Sequence, residues 1–195
     1  MDRKLLAWGL RRKPVPLPRL WLFTDDRRLP DPRASVARLP RGHAGVVLRH
    51  DHDPARADLG HDLARICRER RLVLVVAGDV RLAAALTAGV HLRNGHRTGP
   101  IRTQGITTSS AHSLADLLRA RRARADLVFL SPAFATASHA GAPAMGPLRW
   151  SAIARRCTSS SPAIAALGGV DSGTIRRLPS RLCQAVGAIG ALSAG

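Results

Sequence analysis

The chain of 195 residues has no tyrosine, and its three tryptophans and three phenylalanines bring aromatic content to only 3%. That scarcity argues against the stacking platforms on which single-stranded DNA and RNA are bound. Lysine is almost missing too. Only Lys4 and Lys13 accompany the arginines, and Lys and Arg together number 31 against 13 Asp and Glu. The formal charge of +18 raises nucleic acid as a partner. The arginines are nevertheless scattered through helix-like segments such as 64–71 and 119–124, a pattern of solvated faces that argues against that partner. Cys67, Cys157 and Cys183 lie far apart with no CxxC pair, which excludes a disulfide or zinc framework and predicts buried or free thiols in a reducing compartment. No apolar run is long enough to cross a membrane as a helix. The first residues, MDRKLLAWGLRRK, carry an apolar patch at 5–10 that is too short for a secretory core, so the expected location is the cytoplasm.

What is present is a repeating alternation. A hydrophobic content of 45% supports one packed domain over 20–195, preceded by a basic extension at 1–19. Short β-rich apolar runs occur at 20–24, 45–48, 72–77, 90–92, 105–108, 127–130, 163–167 and 185–189, most of them separated by Ala-, Leu- and Arg-rich helical patterns. Eight βα units are what a TIM (β/α)8 barrel requires, with a doubly wound open sheet as the alternative. Helix starts are marked at Asp53-Pro54, at Ser113 with Asp116, and at Asp171-Ser172. The first connecting segment, 32–39, has room for barely two helical turns, and few residues follow the eighth run, so the last outer helix is expected to be missing. Leu5, Leu6, Trp8 and Leu10, or a second copy of the chain in a homodimer, would then cover the exposed wall.

The most informative stretch is 125–143, ADLVFLSPAFATASHAGAP. Its apolar run delivers Ser131, Thr136, Ser138 and His139 at its carboxyl end, where a parallel barrel places its working groups. A second such unit, AIAALGGV at 163–170, ends in Gly168 and Gly169, which let backbone amides approach a phosphate. Other strand ends offer Asp25 to Arg27, Arg49, Gly78-Asp79, Arg93 to His96 and Thr107 to Ser110. The HDHD cluster at 50–53 contains metal-ligand types, but neighbours on a strand point to opposite sides, which favours a loop and helix cap. Asp79 fits either a Mg2+ ligand or a helix cap, His139 either a phosphate-facing cation or a loop residue, and His112 a helix start.

The order LFTDDR, VVLRHD, GVHLRNG, GITTSSAHSLAD, SPAFATASHAGAP, AALGGV and GAIGAL over about 20–192 resembles the thiamine phosphate synthase/TenI family. The resemblance implies a TIM barrel that binds a phosphorylated heterocycle. In the synthase branch a thiazole phosphate is joined to a pyrimidine diphosphate, with Mg2+ neutralising the departing pyrophosphate. It assigns substrate and phosphate contacts to Arg49, Ser109, Thr136, Ser138, Gly168, Gly169, Ile189 and Gly190, catalytic roles to Ser131 and His139, and the metal to Asp79. The chain also departs from the family pattern. Gly78 stands where an Asn is expected, the second acidic ligand falls near His96, and lysines are replaced at Asp51 and His139. Losing several such charges removes about 2 to 4 kcal/mol of transition-state stabilisation each. The resemblance therefore implies a thiamine-pathway transferase with a depleted diphosphate end, a degenerate or regulatory phosphate-binding barrel, or a TenI-like tautomerase. The tautomerase branch uses a histidine where Leu130-Ser131-Pro132 stands here, so His139, His96 or His50 would have to substitute.

Overall fold

Short apolar segments become strands where both of their faces can be buried, and in this chain eight of them do. Leu20–Phe23 (β1), Ala44–Leu48 (β2), Val73–Ala77 (β3), Gly89–Leu92 (β4), Thr107–Ala111 (β5), Leu127–Leu130 (β6), Ala163–Ala166 (β7) and Ala185–Ala188 (β8) pair in parallel and close into a barrel in chain order. The closed order excludes the open-sheet alternative. The computed structural model describes residues 1–10, 17–96, 104–136, 143–157 and 162–193. Closure is made by β1 pairing with β8, Leu20 opposite Val186 and Leu22 opposite Ala188.

The barrel interior is filled by matching large side chains to glycines. A Cβ at Gly45 would lie 2.4 Å from the Trp21 ring, and one at Gly187 would lie 2.7 Å from Phe23. Phe23 meets Phe129 edge to face at a centroid distance of 4.8 Å, and His91 packs on both rings. Three aromatic groups thus close the barrel beneath the strand ends, so the space above them is a cavity with a floor.

The fifth strand lies two residues later than the apolar pattern predicts. Thr107, Thr108, Ser109 and Ser110 are strand residues, and the hydroxyls of the last three reach partners inside the fold: Thr108 Oγ1 to His91 Nδ1 (2.9 Å), and Ser109 and Ser110 to the β4–β5 loop. A strand rich in hydroxyls escapes a reading based on hydrophobicity, because satisfied hydrogen bonds replace apolar burial there.

The outer helices are Arg3–Leu10 (α1), Arg33–Ala37 (α2), Arg56–Arg70 (α3), Val80–Ala85 (α4), Leu114–Arg122 (α5) and Gly146–Ala154 (α6). The brevity of α2 matches the short first connection. α3 starts later than Asp53-Pro54 suggests: Asp53 Oδ1 accepts the Ala55 amide at 2.8 Å, and Ala55 is the N-cap. Ser113 caps α5 as predicted, accepting the Asp116 amide at 3.2 Å. After Asp171 comes only a 3-10 turn, Ile175–Arg177. Leu5 of α1 is wholly buried in the core with Leu6 and Trp8 packed against it, whereas Leu10 is exposed. The Asp2 amide donates to Ala191 O at 2.7 Å, tying α1 to the segment after β8.

Candidate functional site

The strand ends surround a cavity of about 890 Å3, floored by Phe23 and His91. Of the residues selected from the sequence, Arg49, Ser131, Thr136, Gly168, Gly169, Ile189 and Gly190 all line it. Ser138 and His139 lie outside the described residues. Two selections turn out differently. Ser109 is fully buried behind the wall, where its hydroxyl accepts the Gly95 amide at 3.0 Å, and the neighbouring Ser110 faces the cavity instead. Asp79 does not line the cavity: its Oδ1 accepts the Leu82 amide at 2.9 Å as the N-cap of α4.

On one side the two loops after β6 and β7 lock together. Ala133 and Phe134 donate their amides to Leu167 O (2.8 Å) and Gly168 O (3.0 Å). The glycine pair is required by this docking. Both residues have positive φ, +88° and +63°, and a Cβ at Gly169 would stand 2.3 Å from Ala135 O. The Asp171 carboxylate closes the same side by taking the Gly173 and Thr174 amides, each at 2.8 Å. The Thr174 amide is the first cause that holds this carboxyl below its ordinary value, with burial opposing.

Between the β5 and β6 ends the structure places a pair that the sequence did not single out. His112 Nδ1 is 2.9 Å from Ser131 O and 3.2 Å from Ser131 Oγ, and both residues line the cavity. A carbonyl only accepts, so Nδ1 carries the hydrogen and Nε2 of the neutral ring keeps its lone pair. The His112 amide is held by Asp116 Oδ2 at 2.9 Å, and Asp116 is in turn ion-paired with Arg119. Two other candidate histidines, His50 and His96, do not fill this role. His50 is buried in a chain in which Thr24 Oγ1 lies 2.8 Å from Nδ1 and Pro30 O lies 3.1 Å from Nε2, and His96 does not line the cavity.

The opposite side is made of arginines and aspartates. Arg93 Nη2 lies 2.6 Å from Asp51 Oδ1, and Arg49 Nη2 and Arg28 Nη2 lie 3.5 and 3.3 Å from Asp25 Oδ2. Burial pushes the Asp25 carboxyl up, but the amide and guanidinium of Arg28 more than offset it and leave it below its ordinary value. His91 on the floor is pushed down to about 3, first by burial and then by the positive charges of Arg49 and Arg93.

A divalent cation does not fit this donor set. Asp79 spends one oxygen on the helix cap, and the other faces Arg56 Nη1 at 4.0 Å. Asp51 sits between Arg93 and Arg56, the latter at 3.7 Å. Like charges about 4 Å apart near a surface repel by about 4 kcal/mol per unit pair, so each guanidinium opposes a cation at these carboxylates. Among the described residues no group of three or more His, Cys, Asp or Glu converges as ligands. The HDHD cluster divides accordingly: His50 inward, Asp51 to arginine, Asp53 to the turn before α3.

Comparison with known proteins agrees with this architecture. The family model described as thiamine monophosphate synthase matches residues 22–192. A thiamine-phosphate synthase of Halorhodospira halophila is 31% identical over 201 residues, covering 95% of this chain and 91% of that protein. One from Synechococcus sp. strain WH7803 is 30% identical over 190 residues, covering 90% of this chain and 52% of its own length, so the chain spans about half of that relative. Among solved structures, a thiamine phosphate pyrophosphorylase from Pyrococcus furiosus superposes with a TM-score of 0.73 at 24% identity, over 90% of this chain and 88% of that one, a likeness of fold. A match that begins within β1 and runs past β8 takes in the whole barrel, and the chain belongs to the thiamine monophosphate synthase family.

Proposed function

We propose that the cavity binds a thiazole phosphate against the loops after β6, β7 and β8 and joins it to a pyrimidine diphosphate held on the arginine side, releasing pyrophosphate. The observation that carries this reading is the opposition of two anion-seeking walls across one floor. Gly168, Gly169 and Gly190 stand on one side, and Arg28, Arg49 and Arg93 on the other. In the reaction the thiazole nitrogen attacks the electron-poor methylene carbon of the pyrimidine while the bond to the diphosphate oxygen breaks, so negative charge grows at the arginine wall. Guanidinium groups already placed there stabilise the departing oxygen without reorganising. Ser131 and Thr136 orient the phosphate-bearing partner, and the aromatic floor of Phe23 and His91 excludes water from the reacting carbon.

The test is to incubate the full chain with both substrates and follow thiamine phosphate and pyrophosphate together. Equal formation of the two supports the transferase. Binding of the thiazole phosphate without turnover would replace it with a phosphate-binding barrel that has lost catalysis.

A second reading rests on the His112–Ser131 pair. A histidine with a fixed tautomer and Nε2 as acceptor suits proton transfer on a thiazole, as a tautomerase requires. Isomerisation of a thiazole phosphate carboxylate that disappears in His112→Gln would favour this activity over condensation.

A further inference from the structure

Asp25, Asp51 and Asp79 follow the first three strands, and each lies within 4.0 Å of a guanidinium nitrogen. Carboxylates so placed are occupied by cations of the protein itself. Arg93 is the member with a space made for it. Its side chain runs across Gly78, whose φ is +70°, and a Cβ at that position would crowd Arg93 Nε at 3.2 Å. Glycine at 78 and arginine at 93 are therefore in close contact: a Cβ on the first would press on the second and shift its side chain slightly.

Arg93 is also poised to exchange partners. Its side chain is 56% exposed where it meets Asp51, so the ion pair is weak against solvent, and a phosphate oxygen offers the same N–H groups a better-matched, bidentate acceptor. Arg49 lines the same side of the cavity, held loosely by Asp25 at 3.5 Å. We infer that Arg93 binds the diphosphate group directly, beside the Arg49 that the family resemblance already assigns to phosphate, and takes the place of a divalent cation, with Asp51 holding the Arg93 fork in position until the anion arrives. This inference rests on the reading that the cavity accepts a pyrimidine diphosphate and specifies how its charged end is recognised.

The experiment is calorimetric titration of the full chain with inorganic pyrophosphate, in EDTA and in excess Mg2+, with thiazole phosphate titrated in parallel. Pyrophosphate affinity should agree within about twofold between the two conditions, and Arg93→Ala should weaken it about tenfold or more. Arg93→Lys should fall between, because it keeps the charge and loses the fork. A thermal midpoint for Arg93→Ala equal to the parent's separates lost binding from lost folding.

Binding only in Mg2+, or binding indifferent to Arg93→Ala, overturns the inference. If thiazole phosphate still binds in that case, the functional reading stands without it. Conversely, Mg2+-independent binding of pyrophosphate with no binding of thiazole phosphate keeps the arginine site and removes the thiamine-pathway reading.

Discussion

After β6, β7 and β8 the described cavity wall includes Ser131, Thr136, Gly168, Gly169 and Gly190, and among the described residues its charged group is the Asp171 carboxylate, locked in its own turn. After β1, β2 and β4 it consists of Arg28, Arg49, Asp51 and Arg93, each drawn into an ion pair. The first wall is built from backbone shape, and at Gly168 and Gly169 it leaves no room for a Cβ, whereas Gly190 opens onto free space. The second is built from long, partly exposed side chains whose pairings are individually weak and can be exchanged. An anion would be recognised by fit on one side and by charge on the other, so substitutions on the two sides should fail in different ways.

The largest effect is expected on the wall of fixed shape. Gly169→Ala places a Cβ against Ala135 O at a residue whose φ is +63°. It should destabilise the fold by about 2 to 4 kcal/mol and abolish thiazole phosphate binding. A stable, fully binding variant would show that the β6–β7 docking is not required.

An effect of intermediate size for each pH unit belongs to the floor between the walls. The His91 imidazole is held neutral well below its ordinary value, to about 3, by burial and by the nearby arginines. Its folded pKa lies below its unfolded one, so from about pH 6.5 downward the unfolded chain takes up a proton that the native state refuses. Stability should therefore fall by about 1.4 kcal/mol per pH unit as pH drops from 6.5 toward 3, and be insensitive to this group above that range. Denaturant titrations at a series of pH values would show the slope, and His91→Gln should flatten it. An unchanged slope in the variant would move the origin elsewhere.

The smallest effect is expected on the exchangeable wall. Asp51→Asn removes the carboxylate partner of Arg93 and should change unfolding stability by less than about 1 kcal/mol, while pyrophosphate binding, which loses the positioning of the Arg93 fork, weakens by no more than about fivefold. A large loss of stability would mean that the arginine wall is as rigid as the glycine wall, and the contrast between them would disappear.

The barrel was legible because eight apolar runs recur with helical patterns between them, and burial of both strand faces enforces that signal. The strand that shifted, Thr107–Ala111, is the one in which hydroxyl groups replace apolar contacts. The glycines after β7 were legible as a site, but their main constraint, the backbone of 132–135 packed against them, involves a loop more than thirty residues away in sequence. The motif order LFTDDR through GAIGAL carried the family, and it also carried the positions of Arg49, Thr136, Gly168, Gly169 and Gly190.

Less legible were the partnerships. Nothing local to His112 says that Ser131 lies beside it, since the contact is made by two adjacent strands bringing their ends together. Asp79 reads equally as a ligand or a cap until α4 and Arg56 are seen to occupy its two oxygens. By itself the sequence determined the alternation of strands and helices, the family, and the end of the barrel at which polar groups gather, because each of these depends on residue type and spacing along the chain. Only the tertiary structure decided which carboxylates are spent on arginines, that His91 and His112 reach the cavity, and that Arg93 packs across Gly78, because these depend on distances across the barrel between residues from different βα units.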